Sequence, residues 1–343
     1  MVRNSISANC FRTVVIVVSS IAVVFGAGTA TSLAAPSSGG SSPVATAAAA
    51  ATLTKIAYPN PRRAQLSVYS PAMRKVVRVD VLVPANRTKP HPTLYLLDGI
   101  DAGVYTGYRE SGWTDQTDVA AFMADKDVNV VLPIGGTAAY YTDWQRDDPI
   151  LGRNKWETFL ADELPPLIDK TFAGNGTNVI GGLSMGATGA MALAVRHPDL
   201  YTGVMALSGA LDLRSLAAKQ AVQGTVLTRG GNPNSMWGQV DDPDWAAHDP
   251  AAHVSALRGK TIYVAVGNGT PDLRLGLAGL ASPVGGFLES ASLASTRDFQ
   301  VAARRAGVDV TYNFRTGLHS WGYWKQDLHR AWPTLATALR LPR

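Results

Sequence analysis

Residues 178–198, Asn178-Val179-Ile180-Gly181-Gly182-Leu183-Ser184-Met185-Gly186-Ala187-Thr188-Gly189-Ala190-Met191-Ala192-Leu193-Ala194-Val195-Arg196-His197-Pro198, decide the fold. Asn178–Gly181 is a short apolar run of strand type, the next five residues are too rich in glycine for anything but a turn, and Ala187–Arg196 is an alanine-rich helix stopped by His197-Pro198. Strand, tight turn and helix in immediate succession form the repeating unit of a parallel sheet. On the N-terminal side, Val76–Val83, Thr93–Leu97 and Val128–Pro133 read as strands closed by Pro84, Asp98-Gly99 and Gly135-Gly136. On the C-terminal side, Val204–Ser208, Thr261–Val266 and Val308–Phe314 extend the series. Between strands, Trp156, Phe159, Leu160, Leu164, Leu167 and Ile168 recur at helical spacing over Trp156–Phe172, and a last helical pattern covers Lys325–Leu339. This alternation predicts an α/β fold: a mostly parallel central sheet with helices on both faces, forming a single domain over residues 52–343.

The chain has 343 residues, 46% hydrophobic and 17% charged, which excludes disordered and fibrous classes. Its net charge of +5 is spread without a Lys/Arg-rich run, so nucleic acid is not an expected partner. Cys10 is the only cysteine, excluding an internal disulfide and every multi-cysteine metal motif. Arg3 and Arg12 precede the apolar stretch Thr13–Gly26, followed by small residues through Ala35. That order reads as a secretory signal over residues 1–35; the apolar run is shorter than the ~20 residues of a spanning helix. Residues 36–51, almost entirely Ser, Gly, Pro and Ala, read as a flexible tether.

Gly182-Leu183-Ser184-Met185-Gly186 has the G-x-S-x-G pattern in the strand–turn–helix context of a nucleophile elbow, with a helix N-terminus beyond it that favours developing negative charge. Such a serine needs a base, and the histidines after it are His197, His248, His253, His319 and His329. His197 ends the helix that Ser184 begins and is expected to interact with the helix C-terminus. His248 and His253 lie in an Asp/Pro/Ala-rich segment expected at the surface, and His329 falls inside a helical pattern. His319, in the loop Gly317-Leu318-His319-Ser320-Trp321-Gly322 after the last strand, is where a base reaches the top of the sheet. For the acid, Asp272 is favoured by its loop after Thr261–Val266, and Glu289 in Phe287-Leu288-Glu289 is its rival; position settles neither.

Leu96-Leu97-Asp98-Gly99, Tyr141-Thr142-Asp143-Trp144, Lys155-Trp156-Glu157-Thr158-Phe159-Leu160, Gly182-Leu183-Ser184-Met185, Ser235-Met236-Trp237-Gly238, Gly267-Asn268-Gly269-Thr270-Pro271, Phe287-Leu288-Glu289 and His319-Ser320-Trp321 resemble, in order, the blocks of the antigen 85 mycolyltransferases. The resemblance runs from about Tyr69 to Leu339. It implies a secreted α/β-hydrolase of the cell envelope that moves a mycolyl chain from trehalose monomycolate, or a related acyl-sugar lipid, to a glycolipid or polysaccharide hydroxyl without metal or coenzyme. It also implies Ser184 as nucleophile, Glu289 rather than Asp272 as acid, His319 as base, and the N–H groups of Ile100 and Met185 as oxyanion donors. Asp98, Ser320 and Trp321 fall on its sugar site. At two further positions of that site Asp101 replaces an arginine and Asp212 an asparagine, so carboxylates stand where donors are expected. Val266 stands where the family has a free cysteine. Two other readings are a secreted carboxylesterase, with water as acceptor, and a non-catalytic wall-binding protein; the joint presence of Ser184, Glu289 and His319 argues against the latter.

Overall fold

The computed structural model describes residues 50–272 and 283–341. The predicted signal and nearly all of the predicted tether lie outside the described residues. Among the described residues nine strands, β1 (Thr52–Asn60), β2 (Arg63–Ser70), β3 (Lys75–Leu82), β4 (His91–Leu97), β5 (Asn129–Ile134), β6 (Gly174–Leu183), β7 (Tyr201–Leu207), β8 (Thr261–Gly267) and β9 (Thr311–Arg315), form one sheet. Its spatial order is β1-β2-β3-β5-β4-β6-β7-β8-β9. The pairings β1–β2, β2–β3 and β3–β5 are antiparallel; the other five are parallel. The helices are α1 (Gly112–Gln116), α2 (Val119–Phe122), α3 (Trp156–Thr158), α4 (Leu164–Phe172), α5 (Met185–Arg196), α6 (Leu216–Leu227), α7 (Asn234–Trp237), α8 (Asp244–Ala247), α9 (Pro283–Arg305) and α10 (Trp321–Ala338).

Both faces of the sheet are covered, which is why the central strands are apolar without alternation. Tyr95, Leu97, Val131, Ile180, Val204 and Val264 point to one side, where they meet α4, α5 and the buried face of α9. Their strand neighbours Leu94, Leu96, Val130, Val179, Met205 and Ala265 point to the other, against Trp113, Trp324, Leu328 and Leu335.

The predicted helix Trp156–Phe172 is interrupted. Leu164 N–H donates to Phe159 C=O, five residues back, so Phe159–Glu163 forms a π-helical turn between α3 and α4. Pro165 and Pro166 follow it and have no N–H with which to continue the α-helical ladder. The last strand begins at Thr311 rather than Val308, whose N–H donates to Ala303 C=O and closes the end of α9. The hairpin β1–β2 and helices α6 and α9 are additions to the sequence reading. β1 is an edge strand with no buried residue, and the buried face of β2 includes the small Ala64 and Ser70, so neither has a strong hydropathy alternation.

Candidate active site

The C-terminal ends of β4, β6, β7, β8 and β9 converge on one edge of the sheet, the usual place for a site in an open α/β sheet. Ser184 follows β6 directly and has φ 52° and ψ −123°, a strained conformation that turns its side chain out of the chain's path. The flanking glycines are required by packing: a Cβ on Gly182 would lie 2.3 Å from Gly186 C=O, and one on Gly186 would lie 2.3 Å from Asp98 C=O. The elbow is therefore wedged against the end of β4, and Ser184 N–H is fixed to Leu207 C=O of β7 at 2.8 Å.

His319 Nε2 lies 2.8 Å from Ser184 Oγ, and His319 Nδ1 lies 2.8 Å from Glu289 Oε2. The carboxylate bonded to the imidazole is thus Glu289, brought in by α9; Asp272 instead uses its N–H on the Tyr323 hydroxyl at 2.9 Å. Glu289 is fully buried, and its Oε1 accepts from Ser208 Oγ at 2.8 Å and Gly267 N–H at 2.6 Å. Burial alone raises a carboxyl, but here the His319 hydrogen bond, the charges of His319 and Arg315, and Gly267 N–H outweigh it, holding Glu289 below its ordinary range. Trp324 Nε1–H donates to Ser208 Oγ at 3.0 Å, and its ring meets His319 edge-on at 4.9 Å. Ser208, Gly267, Trp324 and Arg315 are supports that the sequence reading missed; Gly267 opens a block quoted above, but nothing in that block marks its N–H as a donor to the acid.

Ile100 lies in the turn after β4, and Met185 directly follows the serine in the chain. The Gly99–Ala102 turn is closed by Ala102 N–H to Gly99 C=O at 3.2 Å and pinned by Ala138 N–H to Ile100 C=O at 3.1 Å. Met185 is the first residue of α5, where backbone N–H groups have no helical acceptor.

The expected sugar-site residues are mostly engaged with the protein. Asp98 is buried; its carboxylate accepts from Ser111 Oγ at 2.8 Å and Gly112 N–H at 3.1 Å, and burial pushes it up to about 7 despite these bonds. Asp101 is paired with Arg229, which follows α6, so a guanidinium reaches this position from another part of the chain. Asp212 is turned onto Arg214, with Nε at 2.9 Å from Oδ2. Ser320 stands at the N-cap position of α10 without a side-chain capping bond, and Trp321 packs edge-on against Trp113 and Trp324 at 5.8 and 5.5 Å.

Two histidines differ from expectation. His197 turns from its helix terminus to Glu157, 2.8 Å from Oε1, and His248 is buried, stacked on Trp237 at 4.9 Å. They line a polar cleft of about 300 Å³ with Glu157, Arg196 and Asp244. His253 is exposed as expected, and His329 of α10 pairs with Asp118 at 3.1 Å.

A largely parallel sheet carrying a serine on a strained strand-to-helix turn at its C-terminal edge defines an α/β-hydrolase fold. Residues 70–335 match the Esterase family. The chain is 33% identical over 301 residues to the diacylglycerol acyltransferase/mycolyltransferase Ag85B of Mycobacterium intracellulare, covering 84% of this chain and 87% of that one. Against Ag85A of Mycobacterium tuberculosis the identity is 32%, covering 84% and 85%. The crystal structure of Mycobacterium tuberculosis MPT51 (FbpC1) superposes with a TM-score of 0.68 at 27% identity, covering 80% of this chain and 97% of that one. An S-formylglutathione hydrolase from Agrobacterium tumefaciens, at 18% identity and TM-score 0.56 over 82% and 98% of the two chains, shares the fold. The chain belongs to the Esterase family and, within it, to the diacylglycerol acyltransferase/mycolyltransferases of the Ag85 type.

Proposed function

We propose that this chain is an exported serine acyltransferase that moves a mycolyl or other long acyl group from trehalose monomycolate to a sugar hydroxyl of the cell envelope. The observation that carries this reading is the unbroken chain Ser184 Oγ, His319, Glu289, with 2.8 Å at both links. His319 Nε2 takes the Ser184 proton as Oγ attacks the ester carbonyl, and Glu289 orients the imidazolium. Ile100 and Met185 N–H groups hold the oxyanion. Collapse of that intermediate breaks the ester bond, the departing trehalose hydroxyl takes the proton back from His319, and the acyl group stays on Ser184. A second sugar hydroxyl then repeats the sequence in reverse, giving up its proton to His319 as it takes the acyl group.

Hydrolysis is the second reading, favoured by Asp101 and Asp212, whose carboxylates are tied to Arg229 and Arg214. Water then resolves the acyl-enzyme. Incubation with trehalose monomycolate separates the two: trehalose dimycolate marks transfer, and free mycolic acid marks hydrolysis. Ser184→Ala is expected to abolish both products while leaving the fold intact. Retention of either product in that variant overturns the assignment of Ser184. The residues 1–35 support export to the envelope, where such acyl-sugar lipids reside.

A further inference from the structure

Behind Glu289 the charges continue inward. Arg315, at the end of β9, has Nη1 3.5 Å from Glu289 Oε1 and Nη2 2.6 Å from Asp327 Oδ2 of α10. Asp327 is fully buried, and the Arg315 side chain is only 8% exposed. The row His319, Glu289, Arg315, Asp327 therefore alternates in sign once His319 holds the serine proton. Glycines make room for it: a Cβ on Gly267 would come within 2.5 Å of Arg315 Nη1, and one on Gly317 within 2.7 Å. The guanidinium also lies over the Tyr323 ring, 4.9 Å from its centroid.

Satisfying Glu289 does not require this arginine. Its Oε2 accepts from His319 and its Oε1 from Ser208 and Gly267. Burying a guanidinium is costly unless carboxylates compensate it, and Asp327 performs that role with two guanidinium nitrogens. What the pair adds at Glu289 is a fixed positive charge on the side away from His319. We propose that Arg315, balanced by Asp327, is a positioning residue for acyl transfer: it keeps Glu289 ionised and limits how strongly that carboxylate stabilises protonated His319, leaving the base free toward lower pH. This rests on reading Ser184, His319 and Glu289 as the reacting set.

The groups facing Glu289 are His319 from its loop, Ser208 after β7, Gly267 of β8 and Arg315 of β9. Around Asp327 are Arg330 Nη1 at 3.4 Å and Asn313 Nδ2 at 3.2 Å, with the Tyr263 hydroxyl, pushed up to about 12 by burial, interacting with its charge. Removing Arg315 leaves Glu289 unopposed; removing the charge of Asp327 turns the full field of Arg315 onto Glu289. The two changes therefore act in opposite directions.

The test is the pH profile of kcat/KM for a short-chain nitrophenyl ester, with the NMR titration of the His319 ring as a readout independent of turnover. Arg315→Met is expected to move the acid limb to higher pH by about half to one unit. That appears as a roughly three- to tenfold lower kcat/KM on that limb. Asp327→Asn is expected to move it to lower pH, and Arg315→Lys to restore most of the original profile. If Arg315→Met does not fold, Asp327→Asn and Arg315→Lys decide the matter. An unmoved acid limb and NMR midpoint in the folded variants, or movement of Arg315→Met and Asp327→Asn in the same direction, overturns the proposal. Ester turnover that survives Ser184→Ala instead overturns the reading of the site, while the NMR midpoints still report on Arg315.

Discussion

A serine held at φ 52° is maintained against a local cost of about 1–3 kcal/mol, so the surroundings must over-determine it. Here the contacts of Gly182 and Gly186 and the bond from Ser184 N–H to Leu207 do so. Ser184 and His319 were legible in the sequence because each sits on a glycine-marked turn with strand and helix signals beside it. The acid was not, since Glu289 lies within a helix in a context, Phe287-Leu288-Glu289-Ser290, indistinguishable by position from a surface turn. Loop position favoured Asp272, the family resemblance pointed to Glu289, and α9 brings Glu289 against His319. Glu289→Gln is accordingly expected to lower kcat by roughly 10³–10⁴, as neutralising a triad carboxylate does, while Asp272→Asn remains close to the unaltered rate. Steady-state kinetics check the ranking, and the reverse order would assign the acid to Asp272. At Asp101 the ion pair with Arg229 decides which substitution is informative. Asp101→Arg would set a second guanidinium against Arg229, so Arg229→Gln is the informative variant. If Arg229 supplies the sugar donor, its loss lowers the ratio of dimycolate to free mycolic acid; an unchanged ratio assigns the pair to holding the turn alone.

At the scale of elements, the interrupted helix α3–α4 shows what periodicity misses. The apolar spacing from Trp156 to Ile168 correctly locates a helical segment facing the core, yet the π-helical turn depends on backbone bonds and on Pro165-Pro166. Glu157, in α3, joins this segment to the far end of α5: it accepts from Arg196 Nε at 2.7 Å and lies 2.8 Å from His197 Nε2, with His248 Nε2 at 3.6 Å. These contacts were hidden because His197 and His248 come from segments that read as a helix end and a surface loop. Burial would raise the Glu157 carboxyl, but the hydrogen bonds from His197, His248 and Arg196 reverse that and hold it well below its ordinary 4.5. A lowered carboxylate stabilises the fold fully above its unfolded value and loses that contribution as pH falls through its folded value. Glu157→Gln is therefore expected to destabilise the protein by about 2–3 kcal/mol at pH 7, toward the low end for a broken buried pair because Arg196 and His197 are partly exposed. The difference from the unaltered protein should shrink as the medium is acidified below about pH 4, where Glu157 of the unfolded chain binds a proton that the folded protein still does not. Urea unfolding at several pH values measures this; a gap that widens with acidification would contradict it.

For the molecule as a whole, the parallel half of the sheet carries the site at its C-terminal edge, and the antiparallel strands β1, β2 and β3 extend the other side. The parallel strands themselves were readable because each is a compact apolar run with its own stop signal, but their spatial order was not. Of the antiparallel strands, β3 was readable as Val76–Val83, while β1 and β2 were not, since an exposed edge strand needs no hydrophobic code. No cysteine lies beyond Cys10, so a chain that has lost residues 1–35 on export contains no thiol, and its stability rests on packing. That packing includes five tryptophans that are nearly inaccessible, Trp113, Trp144, Trp156, Trp237 and Trp245, distributed over both faces of the sheet. A single core of this kind should lose tryptophan fluorescence and far-ultraviolet dichroism at one temperature, and dithiothreitol should leave that temperature unchanged. Iodoacetamide should add no mass to the exported protein and leave its ester turnover intact. One adduct per chain would show that Cys10 is retained and that the N-terminal segment is not cleaved, while a melting temperature lowered by dithiothreitol would point to a disulfide between two chains through that residue.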